Sequence, residues 1–328
     1  MEAVERESDA FQRPVSVEQI EAMCRRAFGD RTRVARIVEI GVGHYNTTYR
    51  IDIEGRDPVI LRVAPERAQQ AHWDRDVMRN EYAAAPYFAA LGTLVPQNLA
   101  VDFTHQIIGR DYMFQTLLPG APASTTLDAY PRSQWPSYYR QLGTITRAVH
   151  EVRGDRFGRV AGPGFDTWSE ALSDQFRVLA ADFDDAGLDS GDVHRVIDAV
   201  GTHRAALDEV TEPRLLHGDL WTLNIMLDPD AAEPTITGVL DFDVACWGDP
   251  MADWTIHRAR QQPGTEVAAF WETYGRPATD AASAVRELFY QARNLVGVQL
   301  DIHRRGIDIS EVPPIHWDVS DVLARLSG

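Results

Sequence analysis

The sequence predicts a two-lobed α+β fold: a small N-terminal lobe built on an antiparallel sheet over residues 1–118, and a larger, mainly helical lobe over residues 119–328. Three observations predict it. Short alternating runs of apolar and polar residues recur between positions 33 and 118, the period of half-buried strands. Pro119 and Gly120 then stop the last of these runs. Beyond them the apolar positions fall at helical spacing, as Leu142, Ile145, Val149 and Val152 do.

Each element has a local reason. Residues 15–28 predict an opening helix, because Ser16 and Gln19 form a capping box and Val15 and Ile20 can close a hydrophobic staple. Residues 33–40 and 49–53 alternate as strands around a glycine-tipped hairpin, GVGHYNTT, at 41–48. An ordinary hairpin would read the same way. The β-branched run VILRV at 59–63 is a third strand, and RNEYAAAPYFAALG is a helix ending near Gly92. Strands follow at 102–103 and 112–118. Helices are expected at 139–152, 165–181 and 193–210, the last two joined by an acidic solvated connection at 182–192. A strand at 236–241 and further C-terminal helices complete the chain.

Composition excludes several classes of function. The 328 residues carry a formal charge of −17, which argues against a phosphate backbone as partner and is compatible with a cationic ligand. All 32 basic residues are arginine, a bias that suits a GC-rich genome. No run of eighteen apolar residues and no charged-then-apolar leader is present, so no membrane association and a cytoplasmic location are expected. Cys24 and Cys246 stand apart without metal-type neighbours and predict two free thiols.

The chemistry concentrates in residues 215–254. His217, Gly218 and Asp219 follow an apolar pair, Asn224 comes five residues after Asp219, and the run at 236–240 delivers Asp241 and Asp243. Alone, HGD is a polar turn and LDFD an edge strand with solvated acids. Three polar positions at this mutual spacing, each after a strand-like run, point further. Transfer of a phosphoryl group needs position and charge compensation: one carboxylate near the acceptor hydroxyl, and an amide oxygen and a second carboxylate for a metal ion.

This arrangement resembles the protein-kinase catalytic loop and metal-binding aspartate. HGDLW with Trp221 inside the loop, then LDFD and GDPMADW, is similar to the aminoglycoside phosphotransferase and choline kinase superfamily, in which fructosamine kinases share HGDLW. The resemblance implies a kinase-like fold with nucleotide between the lobes. It makes Asp219 the catalytic base and Asn224 and Asp241 ligands of Mg2+. Gly41, Gly43 and Asn46 would approach the nucleotide phosphates, and the backbone at Thr116 to Leu118 would meet the base of ATP or GTP. The superfamily usually carries lysine where this chain has Arg62. Either Arg62 replaces it, paired with Glu81 of the following helix, or it faces outward; replacement is favoured because a guanidinium stays charged when buried. Asp249 and Asp253 would support the catalytic loop, and His150 is read as a packed structural histidine.

Only seven residues separate Asp241 from Asp249, too few for an activation segment, so the expected partner is a small-molecule acceptor, of a kind a cationic charge would suit. The resemblance implies phosphorylation of a hydroxyl on an antibiotic or related natural product, with antibiotic resistance as the outcome. A metabolic kinase of an amino alcohol, amino sugar or fructosamine is the alternative, and a non-catalytic pseudokinase the third reading.

Overall fold

A computed structural model describes residues 1, 2, 4, 11–41, 45–277, 279–307 and 318–327. Helix α1, Val17–Phe28, starts at the predicted capping box: the Gln19 N–H donates to Ser16 Oγ (3.2 Å) and the Ser16 N–H to Gln19 Oε1 (3.0 Å). Its buried face, Ile20, Met23 and Cys24, packs on one side of a five-stranded antiparallel sheet. The strands are β1 Val34–Ile40, β2 Thr47–Ile53, β3 Val59–Val63, β4 Asn98–Asp102 and β5 Tyr112–Thr116, in the order β1-β2-β3-β5-β4.

Strand alternation decides what this sheet presents. Val59, Leu61 and Val63 join the α1 core, so Arg62 is turned to the opposite face. There it meets helix α2, Val77–Ala84, which buries Met78, Asn80 and Glu81. The α-helical part ends earlier than the expected Gly92, because Pro86 cannot continue the ladder. The chain goes on as a 3₁₀ segment, Ala85–Leu94, which carries Phe88 out of the sheet region. Phe88 stacks on Phe242 at 4.3 Å and meets His217 edge-on at 5.8 Å. It thereby ties α2 to the segments bearing His217 and Phe242.

The remaining residues are mainly helical, as expected. Helix α3, Trp135–His150, packs its apolar stripe on β6, Arg214–Leu216, and on the paired strands β7, Ile225–Leu227, and β8, Ile236–Val239. Strand β9, Cys246–Gly248, pairs with β6. Helices α4 Trp168–Asp185, α5 Gly191–Thr202, α7 Ala281–Arg304 and α8 Val319–Ser327 form a second core, and the short α6, Trp254–Arg260, lies between β9 and α7 in sequence.

Helix α4 runs into the acidic stretch that was expected to be a solvated connection. The reason is Asp182, which is buried and accepts the backbone N–H groups of His72 (2.6 Å) and Trp73 (2.9 Å). The segment between β3 and α2 is thereby pinned to the helical part of the chain. Its Asp74 also pairs with Arg304 (2.6 Å) and accepts, through its carbonyl, the Tyr45 hydroxyl (2.8 Å). Where the chain leaves β5, Gly120 has φ +102°, and a Cβ there would lie 2.4 Å from the Leu227 carbonyl oxygen. No other residue fits that turn. Among the described residues no helix is long and apolar enough to cross a membrane, and both cysteines are free and buried.

Candidate active site

Asp219 and Asn224 lie on a tight loop between β6 and β7, held from behind. Asp253, wholly buried, accepts the His217 N–H (2.9 Å) and His150 Nε2–H (3.0 Å) on one oxygen and the Gly218 N–H (3.1 Å) on the other. Burial acts to raise its carboxyl, but these donors and the neighbouring histidines hold it below the usual range. His150 reaches on to the Tyr274 hydroxyl at 2.8 Å. Asp253 thus supports the loop, as expected, and His150 is bonded on both ring nitrogens, to Asp253 and Tyr274. Asp249 does otherwise: it caps residues 250–252 through the Met251 N–H and accepts the Tyr290 hydroxyl at 2.6 Å.

His217 has a defined tautomer. Its Nδ1 accepts the Asp219 N–H (3.3 Å), so Nε2 carries the proton and donates to the Leu240 carbonyl (3.1 Å). Burial pushes its pKa down and keeps it neutral. Gly218 has φ +85°, and a Cβ there would meet Val244 at 2.8 Å. The glycine lets the loop lie against the segment after Asp241, where a side chain would prop it open.

These supports aim Asp219 and Asn224 at one point. The Asn224 amide donates to the Asp219 carbonyl (2.7 Å) and carboxylate (2.8 Å), which leaves its Oδ1 as the atom turned elsewhere. Burial, and behind it the charge of Asp241, push the Asp219 carboxyl up to about 7, against the Asn224 amide. Asp241 follows β8 and has φ +62°, a left-handed conformation rarely held by a residue other than glycine. Asn80 secures the turn after it by donating to the carbonyls of Asp243 (2.8 Å) and Ala245 (2.9 Å), while its own oxygen accepts the Ala161 N–H (2.8 Å).

Arg62 joins the sheet to this turn. One guanidinium nitrogen spans both Glu81 oxygens at 2.6 and 2.5 Å, and the other donates to Asp241, with Asp243 at 4.0 Å. Burial opposes its charge, but Glu81, Asp241 and Asp243 together hold the guanidinium firmly protonated. Gln115 of β5 donates to Glu81 at 3.1 Å and fixes the carboxylate from the far side. Burial, with the charges of Asp241 and Glu81, raises the Asp243 carboxyl well above the ordinary range.

Carboxylate oxygens of Glu81, Asp241 and Asp243 lie within 4.8 Å of one another. Arg62 pairs with both oxygens of Glu81 but only one of Asp241, so the second Asp241 oxygen and Asp243 remain as carboxylate donors of the kind a hard dication takes, with Asn224 Oδ1 as the expected third. The residues fit Mg2+.

The structure therefore brings Arg62, Glu81, Asp219, Asn224 and Asp241 into one cleft. Gly41 is close to Val4, whose Cγ2 would be 3.0 Å from an added Cβ. Gly43 lies outside the described residues. Asn46 is buried, with its carbonyl accepting from Gln12 (2.9 Å). Thr116 exchanges both its N–H and its hydroxyl with Gln97, and Leu118 is buried beside Gly238. Sequence reasoning gave no role to Asn80, Gln115 or Asp243. Position beside Glu81 and within LDFD was the only signal for the first and last of these.

A family model described as a phosphotransferase enzyme family matches residues 36–288. No curated protein matches. Among solved structures, a Thermobifida fusca protein assigned as a fructosamine-3-kinase is similar at TM-score 0.62 and 19% identity, over 94% of this chain and 100% of that one. Aminoglycoside phosphotransferase APH(4)-Ia, in ternary complex with ADP and hygromycin B, is similar at TM-score 0.60 and 17% identity, over 94% and 97%. A Ralstonia eutropha protein assigned as an aminoglycoside phosphotransferase gives TM-score 0.59 at 16% identity, over 95% and 94%. At these identities the likeness is one of fold.

Proposed function

The chain belongs to the phosphotransferase enzyme family, and on that premise we propose that it transfers the terminal phosphoryl group of ATP or GTP to a hydroxyl of a small molecule. One observation carries the reading: Asp219, Asn224 and Asp241 converge in one cleft, with the Asn224 amide bonded to Asp219 and its oxygen turned away. Residues 1–118 would hold the nucleotide and residues 119–328 the acceptor, with Gly41, Gly43, Asn46, Thr116 and Leu118 as the expected nucleotide contacts. Mg2+ held by Asn224 and Asp241 would supply charge neutralisation for the triphosphate. Asp219 would orient the acceptor hydroxyl and take its proton as the new O–P bond forms and the bond to the leaving nucleoside diphosphate breaks. Arg62, charged and braced by Glu81, which Gln115 holds in turn, would be the cation that meets the phosphates.

The first reading of the acceptor is an antibiotic or related natural product, inactivated by phosphorylation. In support, solved structures of the same fold include an enzyme in complex with hygromycin B. A metabolic kinase is the second, and the likeness to a protein assigned as a fructosamine-3-kinase favours it equally. The test is Mg2+-dependent transfer from ATP and from GTP across antibiotics, sugars and amino alcohols, read by mass spectrometry as a product one phosphoryl group heavier. Asp219→Ala should lower turnover by about 10²–10⁴-fold while nucleotide binding persists. Unchanged turnover in that variant would remove the mechanism.

A further inference from the structure

Arg62 holds two acids at once. One guanidinium nitrogen spans both oxygens of Glu81, at 2.6 and 2.5 Å, while the other donates to Asp241 and lies 4.0 Å from Asp243. These three acids are the cluster whose oxygens lie within 4.8 Å of one another. The cation therefore lies against the carboxylates that a metal ion would use. Arginine suits such a bridge, because its planar fork presents separate nitrogens to separate acceptors and it stays charged when buried.

The two ends of the bridge are not equally fixed. Glu81 has 0% of its side chain exposed, and the Gln115 amide that donates to it at 3.1 Å also donates to Asn98 at 3.1 Å, which fastens this carboxylate to β4 and β5. Asp241 has 39% of its side chain exposed, and among the described residues no donor besides Arg62 reaches its carboxylate. Its backbone is not free to follow the arginine, since Asn80 clamps the turn through the carbonyls of Asp243 (2.8 Å) and Ala245 (2.9 Å). The contact able to open is thus the one between Arg62 and Asp241. A guanidinium that leaves Asp241 keeps Glu81 as its pivot.

While it stays, Arg62 keeps a positive charge within a few ångströms of any dication that Asp241 would take, and at that range in a partly buried cleft salt screens little of the repulsion. Phosphate oxygens of a nucleotide would relieve the conflict by offering the freed nitrogen a second anionic acceptor. We propose that Arg62 is a built-in competitor of the metal at Asp241: the nucleotide-free cleft binds a divalent cation weakly, and nucleotide raises that affinity by drawing the guanidinium aside. The inference rests on the phosphotransferase reading and adds a coupling between its two ligands. By linkage the metal, in displacing Arg62 from Asp241, strengthens nucleotide binding by the same factor.

The probe is Mn2+ alone, titrated into the full chain without nucleotide and read by the electron paramagnetic resonance signal of the free ion and by calorimetry. Arg62→Met should bind it at least about tenfold more tightly than the unaltered protein. That variant also frees Glu81 and loses stability, so Arg62→Met/Glu81→Gln is measured beside it. The gain should persist in the double variant, and Asp241→Asn added to it should abolish the gain. Equal Mn2+ affinity in the unaltered protein and the double variant would overturn the inference. So would a gain confined to the single variant, which assigns the effect to Glu81, or one that survives Asp241→Asn. At saturating ADP the enhancement of Mn2+ affinity should be about tenfold smaller in the double variant than in the unaltered protein, and an equal enhancement would overturn the coupling. Mg2+- and Asp219-dependent turnover of ATP by the unaltered protein separates the two readings. If it is present while the Mn2+ affinities do not move, only the competition fails; if it is absent while they shift as expected, the phosphotransferase reading fails and the competition stands.

Discussion

Removing Arg62 tests whether the cleft is organised by charge compensation. In Arg62→Met the carboxylate of Glu81, with 0% of its side chain exposed, loses the guanidinium that spans both its oxygens, and keeps only the Gln115 amide at 3.1 Å. Leaving one member of a buried ion pair costs about 3–5 kcal/mol. At about 2–4 °C per kcal/mol for a domain of some size, the melting temperature should fall on the order of 10 °C. The double variant Arg62→Met/Glu81→Gln removes the stranded charge and should recover half or more of the loss. Calorimetry or denaturant melts with and without ATP supply the assay. In the unaltered protein ATP should raise the melting temperature, and both variants should lose most of that shift, because neither has a cation at the phosphate position. A single variant that melts within about 2 °C of the parent, or a double variant no more stable than the single, would refute the account of the pair. Loss of stability with the ATP shift intact would make Arg62 a brace and nothing more.

Two other perturbations address the supports. Asp253→Asn keeps the shape but offers one acceptor oxygen in place of two, so one of the His217 and Gly218 N–H groups is left buried without a partner. A loss of about 1–3 kcal/mol in urea melts, with kcat reduced more than either KM, is expected; parent-like kcat would show that the loop does not depend on this anchor. For His257 the folded pKa, about 4, lies below the unfolded 6.5. The unfolded chain therefore binds the proton first, and stability present above pH 6.5 is lost as pH falls toward 4. The loss amounts to up to about 3 kcal/mol, and His257→Gln should flatten that part of the profile. An identical acid limb in the variant would assign the titration to other groups.

The parts of the molecule legible in sequence are those with short-range causes. Strand β3 falls on residues 59–63 because a β-branched run leaves no other choice, and α1 starts at Ser16 because its cap is three residues long. Asp219, Asn224 and Asp241 could be singled out because each follows a short apolar run at close spacing, and the structure keeps Asn224 bonded to Asp219 with the charge of Asp241 beside them. The rest is made by contacts distant along the chain. Asn80 is 163 residues from the Asp243 carbonyl it holds, and Asp182 is 110 residues from the His72 N–H that it accepts. Asp182 sits in a run of acids, and composition alone made that run a solvated connection. Only the approach of the segment before α2 turned it into a buried acceptor and extended α4. The helix expected to end near Gly92 stops at Ala84 because Pro86 weighs more than the alanines around it.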